Sequence, residues 1–314
     1  MFDWIRILIA LFLLVSSSQA MDRKGAAEVN RVRRACGMLA LKNDARLARA
    51  AYHHAKYLGR LGAKGHTERP GRPYYFGKTP PERLARAGYP SRVGVENISY
   101  GDRNYRHSVR VLMSTLYHRL AFLDFRIDSI GSSEYGNRRG RIYVYDMAPS
   151  TVAELCRHPG KIEGEIYLYG VCADPKVRLS RRAFSAALGR IERRNARIVL
   201  YPPPGMQDAP AVYIRETPDP LAGIYGAGVP ITAQFNPAYY RHVKLQRFRL
   251  SGPGGKMIPS KILSAGKDRY RKLPANTFVL VPLKRLQHGK EYRVSLIVTA
   301  DGRVWKKSWS FRVK

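Results

Sequence analysis

The strongest constraint on the fold comes from residues 226–314, where short apolar or alternating runs are separated by clusters of Gly, Pro, Asn and Asp. The runs read ITAQFN, VKLQRFRLS, NTFVLVP, EYRVSLIVTA and RVWKKSWSFRV, and the last two flank the turn ADGR. In the last run, most residues at odd-numbered positions are apolar, as in a strand with one buried face. They are Trp305, Trp309, Phe311 and Val313. Several short strands joined by turns predict a β-sandwich.

The segment LQHGKEYRV refines this prediction. Its Leu286, Gly289, Tyr292 and Val294 have the spacing of a tyrosine corner, in which a tyrosine hydroxyl ties down one corner of an immunoglobulin-like sandwich. The sequence therefore predicts an immunoglobulin-like β-sandwich over residues 226–314. Such a module usually binds or spaces other domains and seldom catalyses.

The chain before residue 150 follows a helical period instead. Apolar spacing and capping residues predict four helices, at residues 26–41, 45–61, 79–88 and 105–123. Two strand-like runs follow, at 126–132 and 141–147, with the turn-rich SSEYGNRRG between them. Helices followed by short strands, without an alternating pattern of parallel strands, predict an α+β arrangement for residues 21–150.

The middle of the chain leaves its architecture open. RLSRRAFSAALGRIERRN predicts a basic amphipathic helix, RIVLY predicts a strand that runs into the turn PPPG, and YIRETPDPL reads as a connector. We treat residues 151–225 as a connecting region of uncertain fold.

Residues 1–20, MFDWIRILIALFLLVSSSQA, predict a secretory signal peptide. An arginine precedes a short apolar run, and Ser18 and Ala20 occupy the small-residue positions of a cleavage site. An uncleaved N-terminal anchor is the alternative. No later run of about eighteen apolar residues occurs, which argues against an integral membrane protein. The predicted location is secreted or periplasmic.

The charge restricts the partners. The chain has 56 Lys and Arg against 23 Asp and Glu, a net charge of +33, so anionic cell-envelope polymers are natural electrostatic partners outside the cytoplasm. Nucleic acid is disfavoured, because helix-turn-helix, zinc-finger and RNP patterns are missing and export removes the usual targets. The oligomeric state stays open.

The three cysteines would meet an oxidising compartment after export. Cys156 and Cys172 bracket the segment EGEIYLYG, for which a hairpin closed by a disulfide is one hypothesis. Cys36 shares a helical face with Val29 and Val32, and is interpreted as a small buried apolar residue.

Three polar residues of the first domain are candidates for a site. Glu96 lies in GVENISYG, a stretch suited to a buried strand or turn, where an unpaired carboxylate would be costly. His66 follows a helix in GAKGHTE, and His118 ends a helical face in LMSTLYHR. Two imidazoles and a carboxylate suit a divalent metal, although no HExxH or paired-cysteine motif fixes its identity. His53 and His54 are adjacent on a helix, so at most one faces inward, and they are interpreted as helix surface and packing. Asp146 is interpreted as a solvated strand end, with an anchor at the edge of a cleft as the alternative.

Five elements of the first domain, in order, resemble the bacterial branch of the CAP superfamily: NRVRRACGMLALKNDARLARAAYHHAKYLGRLGAKGH, ERLARAGY, GVENISYG, MSTLYHR and IGSSEYG. This superfamily comprises cysteine-rich secretory proteins, antigen 5 and pathogenesis-related proteins, and its module is also called the SCP domain. The resemblance covers about residues 25–148. It implies an α/β/α sandwich with a central cleft that in many members holds zinc or another divalent ion. Residues 226–314 look like the β-sandwich found behind some bacterial CAP modules.

The resemblance also implies site residues. The two family histidines fall on His66 and His118, as metal ligands, and the glutamate of the Gly-Glu-Asn motif falls on Glu96, which would be held by both imidazoles, directly or through a metal or water. Asn97 would fix the turn. The second acidic position falls on Thr115, so the family's four-residue set is incomplete, and Val95 and Leu112 also depart from the pattern.

Three functions follow as hypotheses. The first is a binding protein whose cleft residues His66, Glu96, Asn97, Thr115 and His118 engage cell-envelope polymers or a small ligand. The second is a metal-dependent hydrolase in which Glu96 acts as a catalytic general base on a metal-bound water. Binding is preferred, because catalytic zinc commonly has three protein ligands and this chain offers two histidines. The third is a nonspecific polyanion-binding protein that acts through charge alone.

Overall fold

The computed structural model describes residues 23–137, 140–160 and 166–314. The predicted signal peptide lies outside these residues, as does the first part of the EGEIYLYG segment. Over the described ranges, no helix has the length and apolar character that crossing a membrane requires.

The helices confirm most of the predicted pattern. They are α1 (Lys24–Ala35), α2 (Ala45–Leu61), α3 (Pro80–Arg86), α4 (Tyr105–Met113), α5 (Tyr117–Phe122), α6 (Ser150–Arg157) and α7 (Arg181–Glu192). Helix α2 has the predicted ends, because the Asp44 side chain accepts from the first amides and Gly62 adopts a left-handed conformation. Pro80 and Pro81 lie in the first turn of α3, where proline fits because the first amides of a helix have no partner within it.

Two helix predictions need correction. The helix predicted over residues 26–41 ends at Ala35, and Gly37 has a φ of 75°, a left-handed conformation that turns the chain away. The single helix predicted over residues 105–123 is two helices, because the chain breaks at residues 114–116. An acceptor from a distant part of the chain caps the second helix, as described below.

The first sheet contains β1 (Lys42–Asn43), β2 (Val95–Tyr100), β3 (Ser129–Asn137) and β4 (Gly140–Ala148), in the order β1-β3-β4-β2. Strand β1 is parallel to β3, and the other pairs are antiparallel. The segment SSEYGN, predicted as turn, belongs to β3. Strand β2 is an edge of this sheet, which places the sequence around Glu96 at its border.

Helices cover both faces of this sheet. A Cβ on Gly131 of β3 would lie 1.9 Å from the backbone nitrogen of Ala48, so α2 approaches one face more closely than any side chain would allow. A Cβ on Gly25 of α1 would lie 2.5 Å from Ser132, the next residue of β3, which points to the opposite face. The arrangement is the predicted α/β/α sandwich.

The region after β4 contains β5 (Tyr167–Leu168), which pairs with β6 (Leu179–Ser180). Cys156 and Cys172 form the hypothesised disulfide, with 5.4 Å between their Cα atoms. The paired strands differ from the hypothesised hairpin, because β5 pairs with a strand beyond Cys172. Cys36 is free and buried, as predicted.

The C-terminal part is the predicted sandwich. One sheet has the order β10-β11-β8-β7 and the other the order β13-β12-β9. Their strands are β7 (Ile198–Tyr201), β8 (Ile231–Phe235), β9 (Val243–Ser251), β10 (Ser260–Ser264), β11 (Thr277–Pro282), β12 (Glu291–Ala300) and β13 (Arg303–Arg312). The Tyr292 hydroxyl accepts from the Gln287 amide at 2.8 Å, which makes the predicted tyrosine corner. Strand β7 belongs to this sandwich although it precedes residue 226.

The two halves of the molecule share one apolar core, to which helix α1, sheet β1–β4 and both sheets of the sandwich contribute. The fully buried Arg119 of α5 stands at their junction. Its guanidinium donates to the Pro230 carbonyl and lies 4.4 Å from the centre of the Tyr201 ring. This packing fixes α5 against the sandwich.

Candidate two-histidine site

The buried Glu96 carboxylate is held mainly by an arginine. Nη2 of Arg83, on α3, donates to both carboxylate oxygens at 2.9 and 2.8 Å. Nδ1 of His66 lies 2.8 Å from Oε1. The side chains of Arg83 and Glu96 are fully buried, whereas the His66 side chain is 43% exposed. Both oxygens of Glu96 are therefore engaged within the protein, and His66 connects them to the surface.

A second buried pair supports this cluster. Nδ1 of His54 lies 2.8 Å from Oε1 of Glu68, and its Nε2 lies 3.1 Å from the Gly65 carbonyl oxygen. Of the two adjacent histidines of α2, His54 is the one that faces inward: its side chain is fully buried, and both its nitrogens are bonded, so it does more than pack. Glu68 also accepts from the amides of Phe76 and Gly77. These bonds fix the loop that carries His66.

Asp146 lies directly opposite Glu96 on β4. It is 1% exposed, so the expectation of a solvated strand end is wrong. Burial and the negative charge of Glu96 raise the pKa of Asp146 well above its usual value. Burial would also raise the pKa of Glu96, but His54, His66 and Arg83 outweigh it and lower this pKa to about 2. Of the two facing carboxyl groups, Glu96 holds the negative charge more firmly.

His118 has a different carboxylate partner. Its Nδ1 lies 2.7 Å from Oε2 of Glu216, a residue of the connecting region. The expectation that both imidazoles hold Glu96 directly is therefore wrong for His118. Glu216 also accepts from the amides at the start of α5: Leu116 at 2.6 Å, Tyr117 at 2.9 Å and His118 at 3.2 Å. A side chain outside the first domain thus caps α5 and orients its histidine.

Asn97 and Thr115 hold the backbone around His118. Nδ2 of Asn97 donates to the His118 carbonyl oxygen at 2.8 Å. Asn97 lies within β2, so the expectation that it fixes a turn is wrong. Oγ1 of Thr115 donates to the Leu112 carbonyl at 2.7 Å and lies 3.4 Å from Nδ1 of His118. Both residues position the second histidine.

Neighbouring residues of strand β2 contact His66 and the start of α5. Successive side chains of a strand point to opposite faces, so Glu96 reaches His66 on one side of β2 and Asn97 reaches the start of α5 on the other. We call His66, Glu96, Asn97, His118 and Glu216 the two-histidine site. The His118 side chain is 18% exposed, so the rings on both sides are open to solvent.

The hydrogen bonds fix the tautomer of each ring. An ionised carboxylate only accepts, so the proton of neutral His66 or His118 lies on Nδ1, and Nε2 presents a lone pair. Among the described residues, no hydrogen bond reaches either Nε2. A carboxylate on one ring nitrogen is also the arrangement that orients metal-binding histidines.

The donor set limits what kind of metal could bind. No cluster of three His, Cys, Asp or Glu side chains within the described ranges is placed to hold an ion. Glu96 and Glu216 are already bonded to Arg83 and to the α5 amides. The residues supply the two imidazole nitrogens of His66 and His118, which is fewer than the three protein ligands typical of catalytic zinc.

A separate cavity of about 370 Å³ lies between α1 and the loop that follows β7. It is lined by Cys36, Tyr201 and Met206 among others, and includes neither histidine of the two-histidine site. We place the candidate chemistry at the histidines, because the cavity wall lacks a comparable set of oriented polar groups.

Sequence reasoning missed two residues that hold this site together. Arg83 stood in the quoted ERLARAGY motif, and a buried glutamate nearby was a signal that a cation had to be found for it. Glu216 has no local signal, because YIRETPDPL carries no capping or periodic pattern that points to α5. Only the folded chain brings it to His118.

Of three comparisons with known proteins, one identifies a family for the first domain. The family model described as "CAP: Cysteine-rich secretory protein family" matches residues 26–146. A search of the curated proteins found no match. Among solved structures, an outer surface protein from Borrelia burgdorferi is similar, with 21% identity, a TM-score of 0.35, and coverage of 39% of this chain and 87% of that chain; a likeness this weak carries no functional inference. Residues 26–146 thus match the CAP family, as the resemblance predicted.

Proposed function

We propose that this protein is a secreted or periplasmic CAP-domain protein whose two-histidine site binds a polar group of a cell-envelope polymer or of a small ligand. One observation carries the proposal: both imidazoles are fixed through Nδ1 by buried carboxylates. Each ring therefore presents Nε2 in a set direction, and ligand groups gain affinity from donors and acceptors that need no reordering. The net charge of +33 favours an anionic polymer.

Binding fits the site better than hydrolysis. A general base must accept a proton at the working pH, and His54, the hydrogen bond from His66 and the charge of Arg83 lower the pKa of Glu96 to about 2 against the effect of burial. Its oxygens are also bonded to Arg83. Glu96 thus acts as a positioning residue for His66, and no other carboxylate of the two-histidine site is free to take its place.

A metal-assisted form of this binding is the second candidate. The carboxylate-oriented imidazoles favour it. His66 and His118 would each offer one Nε2 donor to zinc or another divalent cation, and the bound ligand or water would supply the remaining donors. The metal would contribute a positive charge that attracts anionic groups.

The binding test uses purified peptidoglycan sacculi as the probe, with the full chain in co-sedimentation. We expect the His66→Ala, His118→Ala double variant to bind at least tenfold more weakly, because both presented nitrogens are lost. His158→Ala is the matched control, since that ring is 76% exposed and lies just after the last residue of α6. Equal binding by the double variant and wild type, with loss of binding at high salt only, would overturn the proposal and favour charge-driven association.

Elemental analysis of the same proteins tests the metal. Stoichiometric zinc in wild type and its loss from the double variant would support the second candidate. Metal-free wild-type protein that still binds sacculi through the two histidines would support direct binding instead. Release of soluble fragments from sacculi by wild type would contradict a purely binding role.

A further inference from the structure

One face of the C-terminal sandwich concentrates positive charge. In the sheet β13-β12-β9, the inward residues of β12 are buried, from Tyr292 to Ala300, and the alternate residues point outward. The outward positions of the three strands carry six basic residues, all exposed: Lys244, Arg247, Arg249, Arg293, Lys306 and Arg312. We call these six residues and the positions between them the basic sheet face.

Strand register arranges the charges in rows. Arg249 of β9, Ser295 of β12 and Ser308 of β13 form one row. The rows beside it read Arg247, Ile297, Lys306 and Ser251, Arg293, Ser310, and the outermost rows contain Lys244 at one end and Arg312 at the other. With residue and strand spacings of about 3.4 and 4.8 Å, the five rows cover roughly 27 by 10 Å. The cations are therefore spread in two dimensions.

These cations are not neutralised within the molecule. Among the residues that the structure describes, none of the six forms a salt bridge, and the Arg312 guanidinium bonds only to the Gly289 carbonyl. Glu291, opposite Arg312 at one end, is the single acidic residue of the face. Serine and threonine hydroxyls fill most of the remaining positions. The face keeps a net positive charge and further donors for an anionic partner.

The two-dimensional spread of the cations favours a surface of anionic groups, such as a bilayer, over a single polymer strand. Single-stranded nucleic acid is usually held in a groove in which its bases stack on aromatic side chains. The outward positions of this sheet contain no aromatic residue, so the face lacks such stacking sites. Each basic residue near an anionic bilayer strengthens association by about fivefold. We propose that the basic sheet face docks the protein onto an anionic bilayer through phosphate-bearing lipid headgroups.

The test is vesicle co-sedimentation of the full chain. The vesicles contain phosphatidylcholine either alone or with phosphatidylglycerol, at low and high salt. We expect wild type to bind only the anionic vesicles and to dissociate at high salt. The Arg247→Glu, Arg249→Glu, Lys306→Glu variant should bind about a hundredfold more weakly, because three cations are reversed. The Arg247→Lys, Arg249→Lys variant should bind like wild type, since charge is kept.

The matched control is Arg181→Glu, Arg182→Glu, Arg190→Glu, which makes the same charge change on exposed positions of α7. We expect it to retain binding within a few-fold of wild type. Equal losses in both triple variants would overturn the docking surface, because net charge alone would then explain association. The proposal would also be overturned if the triple variant of the basic sheet face bound vesicles as wild type does but no longer bound sacculi. The face would then recognise a wall polymer and not a bilayer. The His66→Ala, His118→Ala variant should still bind vesicles, which separates this proposal from that for the two-histidine site.

Discussion

Arg83 determines what the buried carboxylate of Glu96 can do. A buried carboxylate stays ionised only when a cation lies beside it and hydrogen bonds reach its oxygens. Arg83 supplies both. Among the described residues, Asp146 forms no ion pair across the strand pair, and burial and Glu96 raise its pKa against the opposing effect of Arg83. The cluster therefore keeps one carboxylate ionised beside His66.

Replacing Glu96 tests this arrangement. We expect Glu96→Gln to lower the free energy of unfolding at neutral pH by about 3 to 5 kcal/mol. The buried Arg83 loses its nearest counter-charge and keeps the more distant Glu68, whose Oε1 lies 3.9 Å from its Nε. The folded pKa of about 2 lies below the ordinary 4.5, so this contribution is present above pH 4.5 and is lost as pH falls toward 2. Denaturant unfolding at several pH values should show wild type and variant converging in acid.

The control is Glu154→Gln, which removes an exposed charge paired with Arg157 and should change stability by less than about 1 kcal/mol. A Glu96→Gln variant as stable as wild type at neutral pH, or a difference that does not shrink in acid, would contradict the role assigned to Arg83.

At the scale of elements, the start of α5 depends on the connecting region. The first amides of a helix lack partners within the helix, and in α5 a carboxylate 98 to 100 residues away in sequence accepts them. The same carboxylate orients His118. The position of the second imidazole is therefore set by two segments, one of which lies outside the CAP domain.

We expect Glu216→Ala to destabilise the start of α5 by about 1 to 3 kcal/mol, because buried amides lose their acceptor. Hydrogen exchange at Tyr117 and His118 should then become roughly tenfold faster or more. Asp219→Ala is the control, since Asp219 bonds Tyr213, Arg215 and the Leu221 amide within the connecting region. Equal acceleration in both variants would show that the region, and not the cap, is responsible.

Elements with local signals were predictable from the sequence. Helix α2 has Asp44 and Gly62 at its ends, and the β12–β13 hairpin has Asp301 and Gly302 in left-handed conformations at its turn. The break between α4 and α5 was not predictable, because the apolar spacing continues through residues 114–116 and the cap is remote. His66 and Glu96 were identified by the family resemblance, whereas their connection through Arg83 required the fold.

At the scale of the whole molecule, the CAP domain and the sandwich share their interior. Apolar residues of α1 and of the first sheet belong to the same core as β7, β8 and β12. The buried Arg119 lies against Tyr201 and the Pro230 carbonyl. Separation of the two parts would expose this core and remove the Pro230 acceptor of the Arg119 guanidinium, which would keep its bonds to the Met113 and Thr115 carbonyls.

We therefore expect the full chain to unfold in one cooperative transition, and the fragment of residues 23–150 to expose apolar surface and to melt at a lower temperature. Calorimetry of the full chain, with binding of an apolar dye by the fragment, checks both. Two well-separated transitions, or a fragment as stable as the intact protein, would contradict a shared core.

The bond between Glu216 and His118 has a consequence for how the molecule is made. Synthesis proceeds from the N-terminus, so every residue of the family match is complete long before the glutamate that orients the second ring. A product truncated between residues 150 and 216 would still carry the full family signature. We expect such a product to lack a finished site, so recognising the signature in a sequence is not enough to infer a working protein.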